Sequence, residues 1–445
     1  MRLLQKGHAV RENTAENRNE HVHDVVVIGG GPGGSTIAAL LATRGHDVVM
    51  LEKTTHPRFH IGESLLPLNM PLFESLGVAQ EIARIGMPKY GAELVSPWHG
   101  DPVSFDFSGA VDKSFPLAYQ VRRSEFDHIL FHNAVSKGAQ AIQECRVTAV
   151  KFHAEGAQVS ARHQDGRVEE IKARFVVDAS GRDTVLANQF GAKRRNRKHA
   201  SAAIFGHFSG AKRLAGKAEG NISLFWFDYG WFWFIPLSDG ATSVGAVCSP
   251  AYMKSRKSEP QQFFMETIAL CPALSERLRS ATLTSPVTAT GNYSYVVERA
   301  AGRNYILIGD AYTFIDPVFS TGVFFAMRSA FAGADTVGAC LAHPERAHRV
   351  LKSFDREMRR GPDIFSWFIF RLTTPAFREL FMRPRNVKLQ EAVMSLLAGD
   401  VFRNTPITLR LFMFKALYYA FSLASPARAL SAWKKRRLAI QEAAV

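Results

Sequence analysis

Three glycines, Gly29, Gly31 and Gly34, stand at GxGxxG spacing in the stretch VVVIGGGPGGSTIAALLATRGHDVVMLEK, and Glu52 lies at its end. Those residue types in that order are suited to holding a dinucleotide. Gly29 permits a turn out of a strand, Gly31 lets backbone approach a pyrophosphate, and Gly34 lets helix and strand pack closely. The helix N-terminus that follows favours negative charge, and Glu52 would accept from ribose hydroxyls. Two later segments supply carboxylates after apolar runs: ILIGDAYTFIDP places Asp310, and RFVVDASGRDT places Asp178 with Gly181. A fourth stretch, GWFWFIPLSD, sets Trp231, Phe232, Trp233 and Phe234 side by side and stops them at Pro236. Alternation on a strand sends Trp231 and Trp233 to one face and the phenylalanines to the other, so both faces need cover. Proline cannot donate to a ladder, so the run ends at an edge or a turn, and the stretch reads as one arm of a hairpin. An aromatic core strand is the plainest meaning of such a run.

Regular elements must position these groups. Asp24 to Gly30 reads as a strand, Gly33 to Thr43 as a helix and Asp47 to Leu51 as a second strand, a βαβ opening. A helix is expected over Ser124 to Lys137, with strands at Ala141 to Phe152, Gln158 to Arg162 and Val168 to Val177. Four further strands, at Ala202 to Phe208, Ser223 to Phe227, Phe232 to Pro236 and Ser243 to Val247, make an antiparallel layer. A helix near Gln262 to Leu278 follows it. Tyr305 to Ile308 returns as a short buried strand before a long helix over Val323 to Leu341. The rest of the chain reads as helical, broken at Pro362, Pro375, Pro384, Pro406 and Pro426. The fold class is therefore α/β: a Rossmann-like nucleotide-binding unit interleaved with an antiparallel substrate sheet, plus a C-terminal helical region. The boundaries expected are a flexible arm over 1–23, the interleaved domain over 24–340 and a basic helical region over 341–445.

With 445 residues and 47% apolar content, the chain is long enough for a large core. Cys145, Cys248, Cys271 and Cys340 are far apart and form no CxxC or metal pattern, as expected of a reduced, cytoplasmic protein. The polar N-terminus has no apolar signal core, and Leu411 to Ser425, interrupted by Lys415, falls short of a span of roughly 20 residues. The net charge of +15 is uneven: from Leu341 onward 19 Lys and Arg stand against 8 Asp and Glu, so +11 of it lies in the last quarter of the chain. That balance points to an acidic partner for the tail, and no nucleic-acid reader motif accompanies it. An acidic protein or an anionic membrane surface fits better.

The GD segment at Asp310 resembles the flavin-contacting segment of FAD monooxygenases of the hydroxybenzoate hydroxylase fold, and Arg123 in QVRRSEFD matches that family's arginine beside the flavin. The resemblance implies FAD. With FAD in place the aromatic strand takes on a second meaning. Trp231, Trp233, Ile235 and Pro236 match WxWxIP, which resembles the signature of flavin-dependent halogenases. HIGESLLP (His60 to Pro67) and FIDPVFSTGV (Phe314 to Val323) resemble two further segments of that family, and Lys89 in GMPKYGA stands where it carries its catalytic lysine. The resemblance covers roughly Asp24 to Leu341. It implies that reduced FAD, delivered by a separate flavin reductase, reacts with O2 and with chloride or bromide held near Thr321 and Gly322. It further implies that Trp231 and Trp233 keep an aromatic substrate from the flavin, and that Lys89 hydrogen-bonds the hypohalous acid or carries the halogen as a haloamine. Tryptophan halogenases carry a glutamate where this sequence has Phe319, so the pattern is more similar to the branch acting on phenols and pyrroles. Relatives in that branch take substrates tethered to acidic acyl or peptidyl carrier proteins, the partner this resemblance implies for the basic tail. A peripheral membrane contact is the other expectation for it. Two rival readings remain open: an FAD-dependent aromatic monooxygenase or flavin-linked reductase of the same fold, and a non-catalytic flavin-binding protein docking to a membrane or acidic partner.

Overall fold

The computed structural model describes residues 21–196, 199–291, 294–382, 387–402 and 407–442. Most of the expected N-terminal arm and the breaks at Pro384 and Pro406 lie outside the described residues.

The first sheet is built on strands with apolar side chains on both faces. In Val22–Ile28, Val25 and Val27 point into a layer made by helices Pro32–Thr43, Arg123–Ser136 and Thr321–Ala342, while Val26 and Ile28 point into the opposite layer. Burial on both sides is what a parallel strand requires, and it explains the unbroken VVVI. Val22–Ile28 pairs in parallel with Val48–Leu51 and with Val168–Asp178, which in turn pairs with Tyr305–Leu307. Gln140–Ile142 closes the far edge. The first strand begins at Val22, inside the arm expected over 1–23.

The expected single strand over Ala141 to Phe152 is two. Gln140–Ile142 joins the parallel sheet, and Cys145–Phe152 leaves it to pair with Ala157–His163. The chain changes direction at Glu144, whose φ of 56° is left-handed. Likewise the helix expected near Gln262 to Leu278 is interrupted by Pro272, giving Pro260–Ala269 and Pro272–Arg277.

A second sheet is inserted between strands of the first. Its order is Thr282–Leu283, Ala202–Ser209, Ala241–Cys248, Gly230–Pro236, Ile222–Phe227, Gly91–Val95 and Val103–Asp106. Neighbours are antiparallel except Ile222–Phe227 with Gly91–Val95. Gly230–Pro236 has a partner on each side, and Leu237 N donating to Ala241 O at 2.8 Å closes its hairpin. Both faces of the aromatic strand are covered. Phe232 and Phe234 pack with Phe263, Phe264 and Ile268 of the Pro260–Ala269 helix. Trp231, Trp233 and Ile235 face Phe365, Phe368, Phe377 and Phe414 of the C-terminal helices.

Those helices therefore share a core with the sheet. The expected break at Pro362 does not occur: Ala347–Ile369 runs through it. Proline in a helix interior costs about 3 kcal/mol, but Met358, Phe365 and Phe368 on this helix are buried and hold its axis in place. Pro375 and Pro426 instead open the Pro375–Met382 and Pro426–Glu442 helices. All four cysteines are free and buried.

Candidate active site

A cavity of about 470 Å³ runs between the two sheets. Its lining includes Gly29, Gly31, Glu52, Arg123, Asp310, Thr321, Gly322, Trp231 and Trp233. Nine sequence-predicted residues are thus brought together; Gly34 and Lys89 are outside the lining.

The glycines act through backbone geometry. Gly29 has φ 99°, and a Cβ there would stand 2.6 Å from Ala179 O. A Cβ on Gly34 would stand 1.8 Å from Gly29 O, so Gly34 sets how closely helix and strand approach. Gly31 caps the Pro32–Thr43 helix in extended conformation with no side chain over its N-terminus. That leaves the first N–H groups of the helix open to an anion. Glu52 Oε2 accepts from Gly30 N at 2.7 Å, and Oε1 accepts from Thr54 N at 3.0 Å and Thr54 Oγ1 at 2.8 Å. Burial pushes this carboxyl up, but Arg58 and those donors outweigh it and hold it below its ordinary value.

Arg123, at the start of its helix, donates from Nε and Nη2 to Asp127 at 2.8 and 3.0 Å and from Nη1 to Ile61 O at 2.8 Å. Its guanidinium is thereby locked. Asp310 follows the Tyr305–Leu307 strand, and burial pushes its carboxyl up to about 6 against the pull of Arg182 and Arg123. Thr321 and Gly322 begin a 22-residue helix. Ser320 before them is left-handed at φ 56°, and Asp316 Oδ1 accepts from Val318 N at 3.1 Å to fix the entering turn. The first N–H groups of a helix have no carbonyl one turn back to bond. Phe319 is buried beside Phe365, at 6.2 Å between ring centroids, and belongs to the core under the C-terminal helices.

Trp231 and Trp233 stand 6.2 Å apart on one face of their strand. Trp233 lies across Gly245 of the neighbouring strand, where a Cβ would meet its ring at 2.2 Å, and its Nε1 donates to Ser243 Oγ at 3.2 Å.

Lys89 ends the Met87–Lys89 strand, which pairs with Ala118–Gln120; a bridge from Ser64 to Gln120 brings the His60 to Pro67 loop alongside. Its Nζ donates to Ser64 Oγ at 2.9 Å and Leu65 O at 3.0 Å and sits 5.3 Å from the Phe107 ring centroid. Among the described residues no carboxylate pairs with it, and burial pushes the amine down to about 7. Ser64 and Glu63 do line the cavity, so Lys89 stands one residue behind its wall.

Several polar groups at the site were not singled out from sequence. Glu63 pairs with His207 Nε2 at 2.9 Å, both nearly fully buried. Asp316 Oδ2 meets His199 at 2.8 Å and Ser201 Oγ at 2.9 Å. Arg58 bridges toward Glu52 and Asp127, and Arg182 lines the cavity near Asp310. Glu63, Asp316 and Arg182 fall within HIGESLLP, FIDPVFSTGV and RFVVDASGRDT, the signal that could have found them; His199, Ser201 and His207 are too distant along the chain.

These residues fit FAD. The bare helix N-terminus at Gly31, the carboxylate at the end of the second strand and a cavity that continues past Arg123 to Asp310 and Thr321 suit a pyrophosphate, a ribose and a ring system in turn. Residues 22–361 match the family model described as "FAD binding domain". The flavin-dependent halogenase armH4 of Armillaria mellea is 36% identical over 347 residues, 71% of this chain and 65% of that protein, so the chain spans just under two thirds of its length. The 1H-pyrrole-2-carbonyl-[peptidyl-carrier protein] chlorinase of Pseudomonas fluorescens is 29% identical over 410 residues, 86% of this chain and 90% of that one. The myxobacterial chondrochloren halogenase CndH superposes with a TM-score of 0.75 at 33% identity, covering 91% of this chain and 96% of its own. A dinucleotide cradle, a tryptophan-walled cavity and these relationships agree: the chain belongs to the flavin-dependent halogenases of the FAD-binding-domain family.

Proposed function

We propose that this chain chlorinates or brominates an electron-rich aromatic, a phenolic or pyrrolic acyl group tethered to a carrier protein, using FAD supplied in reduced form by a separate reductase. The observation that carries the reading is Lys89. A fully buried amine with no carboxylate partner among the described residues is costly to the fold, and it lies against the loop that walls the cavity.

When bound, reduced FAD supplies with O2 the two-electron oxidation that turns halide into hypohalous acid. Thr321 and Gly322 hold the halide through backbone N–H groups at the helix start. Trp231 and Trp233 separate the aromatic from the flavin, so oxygen transfer to the ring is suppressed. Burial pushes the Lys89 amine down to about 7, so its neutral, nucleophilic form is within reach near neutral pH. The neutral nitrogen attacks the halogen of the hypohalous acid and water leaves. The aromatic carbon then takes the halogen, the N–halogen electrons return to nitrogen, and the ring loses a proton. Phe319, in place of a carboxylate, leaves no acid there to assist a weakly activated ring, in keeping with a phenol or pyrrole. The pyrrole-carbonyl carrier chlorinase, 90% of whose length is matched, supports the tethered form.

The test is mass spectrometry of reactions containing FAD, a flavin reductase and chloride or bromide. Carrier thioesters of pyrrole and phenol acids are compared with the free acids and with tryptophan. Replacement of ring hydrogen by halogen on a thioester is expected. Hydroxylation without halogenation would favour the monooxygenase reading, and halogenated tryptophan alone would overturn the substrate assignment.

A further inference from the structure

The Ile407–Ala424 helix is apolar on two opposite faces. Ile407, Leu411, Phe414 and Tyr418 recur at helical spacing and are buried on the core, where Phe414 lies 5.6 Å from Phe368 and 5.9 Å from Phe377 between ring centroids. Leu409, Phe412, Met413, Ala416, Ala420 and Leu423 form the stripe diametrically opposite, and all six are exposed. Leu409 is 69%, Phe412 67% and Leu423 80% exposed. At 1.5 Å per residue the stripe is about 21 Å long. It contains no polar side chain. A helix with apolar stripes on two opposite faces requires cover on both.

Along this stretch of chain the charge has one sign, with Arg410 paired to Glu391 of the preceding helix at 2.7 Å. From Val401 to Gln441 the sequence holds 8 Lys and Arg and no Asp or Glu. On the following Pro426–Glu442 helix the exposed Leu430, Trp433 and Leu438 share a face, by spacing, with Lys434 and Arg437. Arg437 stands over the Trp433 ring at 5.3 Å.

We propose that this helix pair docks in the interface of an anionic lipid bilayer. The assignment is independent of the halogenase reading. Apolar side chains would enter the acyl boundary, Trp433 would sit at headgroup depth, and Lys434 and Arg437 would meet lipid phosphates. The helix lies along the surface, since its packed face cannot be surrounded by lipid. An acidic carrier protein would match the charge but not a stripe without polar groups, because protein interfaces carry a polar rim and about one hydrogen bond per 100–200 Å². A second copy would bring like charges together.

The test is flotation of the full-length chain with vesicles of phosphatidylcholine alone and of phosphatidylcholine with phosphatidylglycerol, at low and high salt. Binding to the anionic vesicles that weakens with salt is expected. Lys434→Glu with Arg437→Glu should weaken partition about 25-fold or more, at about fivefold per basic residue lost. Leu409→Glu with Phe412→Glu and Leu423→Glu should abolish it while the melting temperature and FAD binding stay as in the wild type. The proposal is overturned if the wild type ignores anionic vesicles or if both variants bind like the wild type. It is equally overturned if the triple variant instead dissolves a homodimer, or loses only the affinity for an acidic carrier.

Discussion

Replacing Lys89 by Met should separate what the lysine costs the fold from what it contributes to the reaction. Burial lowers its pKa from 10.5 to about 7. Between those values the unfolded chain holds a proton that the folded chain has released, so wild-type stability rises with pH across that window. At 1.36 kcal/mol per unit, the full penalty carried at and below pH 7 is about 5 kcal/mol. Losing the hydrogen bonds to Ser64 Oγ and Leu65 O sets about 1–3 kcal/mol per unsatisfied group against the gain. The net sign at one pH therefore depends on how far that pocket relaxes, but the slope does not. Denaturant unfolding of both proteins from pH 7 to 10 should show the stability of Lys89→Met relative to wild type falling by about 1.4 kcal/mol per pH unit. The same variant should bind FAD and consume reduced flavin normally, releasing peroxide, while forming no halogenated product. A pH-independent difference in stability would refute the burial argument, and halogenation near the wild-type rate would refute the role.

The two helix-start glycines should fail differently. Gly31→Val meets only Arg58 at 3.5 Å and should fold while losing flavin affinity, whereas Gly34→Val collides with Gly29 O and should not fold; equilibrium dialysis and circular dichroism distinguish them. Gly245→Val should displace the Trp233 indole, shifting tryptophan fluorescence, costing about 1–3 kcal/mol by overpacking and lowering halogenated product per flavin oxidised. Unchanged coupling would detach that indole from the wall. Asp310, raised to about 6, binds a proton in the folded state between about pH 4 and 6, so wild-type apoprotein loses stability as pH rises through that window. Asp310→Asn should be up to about 3 kcal/mol more stable at pH 8, with the advantage gone by pH 4; an advantage that persists at pH 4 would contradict the assignment.

The nucleotide half of the site was legible because its residues are local: one turn, one helix and one strand place Gly29, Gly31, Gly34 and Glu52 within a single contiguous stretch. The division of faces on the aromatic strand was legible for the same reason, since alternation is a property of the strand itself. The surroundings of Lys89 were not. They rest on two three-residue strands, Met87–Lys89 and Ala118–Gln120, too short to show a period, and on a loop brought in by one bridge. Glu63 and Asp316 fall in segments legible in the sequence, but their pairing with His207, 144 residues away, and with His199, 117 away, carries no local signal. Pro362 misled because a local rule was opposed by packing on both sides of its helix.

The C-terminal region looks separable in sequence, where charge and helical pattern both change near Leu341, but its inner faces close the aromatic sheet. Phe365, Phe368 and Phe377 are fully buried and pack on the tryptophan face. Each buried ring contributes about 2 kcal/mol relative to exposure, so the three together, about 6 kcal/mol, match the lower end of the 5–15 kcal/mol of net stability that a whole domain has. Removing the tail would expose the backs of the residues that wall the cavity. Its outer face is under no such constraint, as core packing does not require Leu409, Phe412 and Leu423 to be apolar. The inner face follows from the fold; the outer face needs a partner to explain it.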